Sequence, residues 1–94
     1  MDIQKAIMVN EKDNVAVALR EIKTGEKVML KVGSKDMKVE VKSDIRFLHK
    51  LALKDIKRGE KVIKYGHNIG EAKSDILAGE HVHIHNLRSL RGST

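Results

Sequence analysis

Glu21-Ile22-Lys23-Thr24-Gly25-Glu26-Lys27-Val28 returns as Asp55-Ile56-Lys57-Arg58-Gly59-Glu60-Lys61-Val62, and again as Asp75-Ile76-Leu77-Ala78-Gly79-Glu80-His81-Val82. The pattern is an acid, Ile, two variable residues, Gly, Glu, a variable residue and Val. The copies are unequally spaced, which is not a solenoid period. Each copy has a local mechanical reading. The acid suits the first turn of a helix, where negative charge is favoured. Ile anchors that turn in the core. Gly ends it, because a residue without Cβ adopts positive φ freely. Val then opens a strand. The motif therefore predicts a one-turn helix handing over to a β-strand, three times. It speaks to fold rather than to chemistry.

The flanking sequence supplies the strands. Ala6–Val9 and Val15–Leu19 are short and apolar, with Val15, Val17 and Leu19 alternating with Ala16, Ala18 and Arg20. Val28, Leu30 and Val32 share one face of a strand over Lys27–Val32, and Met37, Val39 and Val41 share one face of the next. Gly33-Ser34-Lys35-Asp36 between them reads as a hairpin loop. Residues 44–57 fit two templates. Ile45, Leu48, Ala52 and Ile56 make a helical stripe, whereas Leu51 and Leu53 fit a strand. Lys61–Tyr65 and Glu80–Asn86 read as strands, with Gly66 and Gly70 bracketing a tight connection. Many short strands with Gly turns indicate a mainly β class, an irregular barrel or clip with one-turn helices. The domain is expected over residues 1–87, and the polar residues 88–94 as a flexible C-terminal tail.

Composition narrows the function. Ninety-four residues suit one small domain. One Tyr, one Phe and no Trp leave no stacking platform for bases, so nucleic acid is not an expected partner. No Cys means no disulfide, thiol catalysis or thiolate metal site in this chain. No apolar run approaches a membrane span, and the first residues lack the pattern of a secretory signal. A cytoplasmic location is the expectation. The net charge is +6, leaning to the second half, but acids are interspersed throughout. A solvated surface of mixed charge explains it, with mild attraction for anions.

His81-Val82-His83-Ile84-His85 is the sharpest chemical feature. On an extended strand all three imidazoles share one face, and neutral imidazoles bind zinc, iron and similar ions. Alternate residues lie roughly 6–7 Å apart along a strand, so one strand offers two ligands more readily than three. The plain alternative is a polar face opposite a buried Val82/Ile84 face. His49-Lys50 pairs a proton-transfer group with a cation able to hold a carboxylate. Asp13-Asn14 is most simply a turn. No phosphate loop, nucleophile elbow or carboxylate pair is present.

Taken in order, the motifs resemble a known family. His49-Lys50-Leu51-Ala52-Leu53-Lys54-Asp55-Ile56, Gly59-Glu60-Lys61-Val62-Ile63-Lys64-Tyr65-Gly66, Ile69-Gly70, Ala72, Asp75-Ile76 and Gly79-Glu80-His81-Val82-His83-Ile84-His85-Asn86 are similar to the N-terminal domain of the UxaA family of altronate and galactarate dehydratases. Asp13-Asn14-Val15-Ala16-Val17 matches its early motif. The resemblance implies a SAF domain of β-clip fold over about residues 8–87. It implies the small subunit of a hydroxy-acid hydro-lyase, inactive alone, working with a separate large dehydratase subunit. A proton leaves the carbon beside the carboxylate and the β-hydroxyl departs as water. A divalent metal, commonly iron(II), shared with or held by the large subunit, is implied as cofactor.

By position, His49 and Lys50 match the family's Gly-His-Lys motif and are the expected catalytic pair. Asp13, Asn14 and Asn86 are expected to bind substrate, and His81, His83 and His85 to bind metal. Two departures stand out: Leu48 replaces the Gly before His-Lys, and Asn10 replaces a His before Asp-Asn. The alternatives are the small subunit of a sulfolactate sulfo-lyase, a non-enzymatic His-based module binding metal or sugar acid, and, last, an anion binder driven by charge. A homo-oligomer is compatible with all of them.

Overall fold

The Ile of each repeat is held in a β-bridge. Ile22 and Ile45 exchange backbone hydrogen bonds in both directions, at 2.9 and 2.8 Å, and Ile56 and Ile76 do the same at 2.8 and 2.7 Å. Ile45 belongs to none of the three copies seen in the sequence. The structure, a computed structural model, describes residues 4–32 and 35–90, and in it Asp44-Ile45-Arg46-Phe47-Leu48-His49-Lys50-Leu51 forms a fourth copy. Leu48 stands where the others have Gly, and His49 where they have Glu.

The expected one-turn helices are not formed; among the described residues every regular element is a strand. The reason lies in the motif's two acids. The Glu closes a tight turn on itself: Glu26 accepts the Lys23 N–H at 2.8 Å while its own N–H donates to the Lys23 carbonyl. Glu60 and Glu80 repeat this on Lys57 and Leu77. In three of the four copies the leading acid caps the turn of the partner copy rather than a helix of its own; Glu21 pairs with Lys23 instead. Asp44 accepts from the Thr24 N–H and hydroxyl, Asp75 from the Arg58 N–H, and Asp55 from the Ala78 N–H. These groups satisfy N–H donors that a helix would leave unpaired.

Among the described residues nine strands result: β1 (Ala6–Ile7), β2 (Val15–Ala18), β3 (Lys27–Val32), β4 (Lys35–Glu40), β5 (Lys50–Ala52), β6 (Lys61–Lys64), β7 (His67–Ala72), β8 (His81–Val82) and β9 (Leu87–Ser89). They form a four-stranded sheet in the order β1-β2-β5-β8, the β3-β4 hairpin, and a three-stranded sheet β6-β7-β9, all antiparallel. The ambiguous segment 44–57 resolves as turn, strand and turn. The expected tight connection from Gly66 to Gly70 is instead the start of β7. Lys35 and Asp36 of the expected hairpin loop are paired in β4, and residues 33–34 lie outside the described residues. Arg88 and Ser89, assigned to the tail by composition, pair with β7; residues 91–94 lie outside the described residues. No helix among the described residues is long and apolar enough to cross a membrane.

Two hydrophobic cores lie against the central strands. Ala16, Ala18, Leu51 and Leu53 join Ile22, Val28, Leu30, Val39, Val41 and Ile45 in the first. Val15 and Ala52 join Ile56, Val62, Ala72, Ile76 and Val82 in the second. β2 is buried along its whole length, which explains why its alternation is Val with Ala rather than apolar with polar. The β3-β4 hairpin contributes to the first core and the β6-β7 hairpin to the second, so the chain is a repeated unit of strand, turn, hairpin and turn.

Candidate functional site

His49 and the strand β8 meet across the β5-β8 pairing, in which Lys50 faces Val82 and Leu51 faces His81. The fourth repeat explains what His49 does there. In the other copies this position is a Glu whose carboxylate is used to cap its own turn. His49 keeps the backbone bond, its N–H donating to the Arg46 carbonyl at 2.9 Å. Its side chain turns toward β8 instead. His49 Nδ1 lies 2.8 Å from His81 Nε2, so one ring donates N–H to the lone pair of the other. The His49 and His83 rings stack with centroids 4.4 Å apart, and those of His81 and His83 are 5.4 Å apart.

One nitrogen from each of His49, His81 and His83 lies within 4.8 Å of the others. The three imidazoles are half-buried. Burial, then the neighbouring imidazoles His49, His85 and His83 and the Lys50 ammonium, push His81 down to about 4. Burial, then the His49 imidazole, the Lys50 ammonium and the His85 imidazole, lower His83. Both rings are therefore neutral near pH 7, the form that ligates metal. Nothing acidic is needed to explain the cluster. Its donor set, three borderline nitrogens, fits a divalent first-row ion.

The expected geometry of the His run is corrected. β8 ends at Val82, and residues 83–86 turn, so the three imidazoles do not line one strand face. The turn is what lets His83 reach His49. His85 is exposed, with its ring 5.4 Å from that of His81, outside the three-nitrogen group. The nitrogens that converge are thus those of His49, His81 and His83.

Asn86 holds the turn. It is buried; its Oδ1 accepts the His83 N–H at 2.9 Å and its Nδ2 donates to the His81 carbonyl at 2.8 Å. Ser43, which the sequence reading did not single out, accepts the His81 N–H on its hydroxyl at 2.9 Å. Its signal was the unrecognised fourth repeat, which it immediately precedes. Lys50 is half-buried, and desolvation, then the Lys64 ammonium, lowers its pKa.

Asp13 and Asn14 are buried and committed to backbone. Asp13 accepts from the N–H groups of Val9, Asn10 and Gly66, which hold its carboxyl below its ordinary range despite the opposing effect of burial. Asn14 accepts from Ile63 and donates to Lys61, tying β2 to β6. Asn10 is a turn residue whose Oδ1 accepts the Lys12 N–H.

Comparison with known proteins agrees with the resemblance drawn from the motifs. The altronate/galactarate dehydratase SAF domain matches residues 4–90. Altronate dehydratase of Bacillus subtilis (strain 168) is 42% identical over 83 residues, which is 88% of this chain and 16% of that protein. Altronate dehydratase of Escherichia coli (strain K12) is 45% identical over the same extent, again 16% of its length. The (2R)-sulfolactate sulfo-lyase subunit alpha of Paracoccus pantotrophus is 45% identical over 56 residues, 60% of this chain and 84% of that one. The chain thus spans only a small part of the altronate dehydratases it matches.

Proposed function

The chain belongs to the altronate/galactarate dehydratase SAF-domain family, and from that membership we propose that it is the small subunit of a two-chain hydro-lyase acting on a hydroxy acid of altronate type. The observation that carries this reading is the convergence of His49, His81 and His83 in a domain of that family. The larger chain would supply the remaining walls of the cleft and most of the reacting groups.

In the reaction, a base removes the proton on the carbon beside the carboxylate, and the β-hydroxyl leaves with a proton as water. His49, His81 and His83 would hold a divalent metal, iron(II) by family likeness. Such an ion, when bound, stabilises enolate-like charge or polarises the departing hydroxyl. Lys50 supplies a cation for the substrate carboxylate. Its lowered pKa reflects a desolvated ammonium, for which an anion is a good partner. A His49 ring not engaged as ligand would move the proton instead. Asn86 and Ser43 fix the backbone of His81 and His83, so that the rings are positioned before substrate arrives.

Co-expression with the large-subunit homologue of the same genome tests the proposal. The two chains are expected to co-purify and, with ferrous ion, to dehydrate a sugar acid, and His49→Ala is expected to lower that rate at least about 100-fold. Two chains that neither associate nor turn over substrate would remove the basis for it. A second reading is a sulfolactate sulfo-lyase small subunit, favoured by this chain's match to 84% of one alpha subunit against 16% of the altronate dehydratases. Turnover of sulfolactate in preference to altronate selects it. Metal binding by the chain alone is measured separately by calorimetry with zinc and ferrous ion. Heat that vanishes in the His49, His81 and His83 alanine variants assigns the ion to them; no heat from the wild type would leave the metal to the larger chain.

A further inference from the structure

We propose that Phe47, Leu48 and Ile84 form the apolar contact by which this domain seats against its larger catalytic polypeptide, an inference that rests on the two-chain reading above. The four turns share one backbone. At the fifth motif position Gly25, Gly59 and Gly79 have φ of 93°, 87° and 89°, and Leu48 has φ of 69°. A side chain is disfavoured in this left-handed region, and Leu48 gains no burial in exchange, being 59% exposed. Phe47, beside it, is 58% exposed where the other turns carry Thr24, Arg58 and Ala78. Ile84 is 74% exposed on the turn that presents His83.

In the chain two of these residues directly adjoin clustered imidazoles. Leu48 adjoins His49 and Ile84 adjoins His83, and those two rings are 4.4 Å apart. A strained, exposed apolar residue at a site is retained where something outside the fold rewards it. A hydroxy acid does not, since it is polar throughout. A protein surface does, and one that closes on the imidazole cluster also excludes water from it, which strengthens every charge interaction inside. In the altronate dehydratases the matched domain is 16% of the chain, so the bulk of such an enzyme is available as that surface.

The test uses the whole chain and the large-chain homologue of the same genome. The double variant Phe47→Ser/Leu48→Gly and the single variant Ile84→Ser are expected to weaken association at least about tenfold each, as loss of apolar anchors does. Zinc or ferrous titration of the chain is expected to be unchanged. Leu48→Gly alone is expected to raise the thermal midpoint of the chain by roughly 2–6 °C, because it relieves the left-handed strain. Wild-type affinity in both surface variants overturns the inference while leaving the two-chain reading standing, and so does a lowered midpoint in Leu48→Gly. A wild type that fails to associate overturns both.

Discussion

Asn86 is buried with both ends of its carboxamide bonded, one to residue 83 and one to residue 81. Asn86→Ala leaves the half-buried His83 N–H and His81 carbonyl without these partners. It is expected to destabilise the chain by about 1–3 kcal/mol, read from urea unfolding. It is also expected to weaken zinc binding roughly 10- to 100-fold, as loss of ligand support does. Wild-type zinc affinity in a folded Asn86→Ala chain would show that the turn holds its own geometry. Asp13 makes a pH prediction. Its folded pKa lies below the ordinary 3.8, the backbone N–H groups of Gly66, Asn10 and Val9 outweighing burial. A depressed carboxylate pKa contributes stability above the unfolded value and loses it as pH falls through the folded one. The wild type is therefore expected to lose stability below about pH 4 more steeply than Asp13→Ala, which starts lower by about 1–3 kcal/mol. Parallel acid unfolding curves for the two would remove Asp13 from the acid response.

The turn is the element that organises this chain, and its glycines are not equivalent. Gly25 has open space where a Cβ would go, so Gly25→Ala meets only the positive φ and is expected to cost about 1–2 kcal/mol. At Gly79 a Cβ would collide with the Glu40 carbonyl, which belongs to the strand leading out of the β3-β4 hairpin. Lys42 N–H also donates to the Gly79 carbonyl at 2.8 Å, so the backbones cannot part cheaply. Gly79→Ala is expected to lower the thermal midpoint several-fold more than Gly25→Ala; equal shifts would mean the two backbones yield. Three of the turns were legible because Gly and Glu recur at fixed offsets. The fourth was hidden because Leu48 and His49 replace both signals, and those replacements are what make it the chemical copy. Reading the acid as a helix start failed for a related reason. Its partner N–H lies in another copy of the motif, and single-segment reasoning sees only local partners. The β7 and β9 strands were missed because Asn68, Gly70, Arg88 and Ser89 carry no strand pattern; their pairing in the sheet makes them strands. The imidazole cluster was half legible. The His run and His49-Lys50 were each visible, but their meeting depends on the β5-β8 register and on the turn after Val82.

At the scale of the whole molecule, two cores share the strands β2 and β5. Val15 and Ala52 face one while Ala16, Ala18 and Leu51 face the other. Removing side chains from either core therefore loosens the wall of both. Ile56 is buried in the second core and bridged to Ile76. Ile56→Ala is expected to destabilise by about 2–5 kcal/mol through lost burial and the cavity left behind. If the halves fold as one unit, that loss appears in full at the far core. The amides of Ile22 and Ile45, which bond each other across the first core, would then lose hydrogen-exchange protection by the same free energy as those of Ile56 and Ile76. Protection that falls only at Ile56 and Ile76 would mean that each half opens separately despite the shared strands. The distinction reaches the site. His49 follows the turn of the first half and His81 that of the second, so only a chain that opens as one unit keeps their 2.8 Å contact in every populated native state.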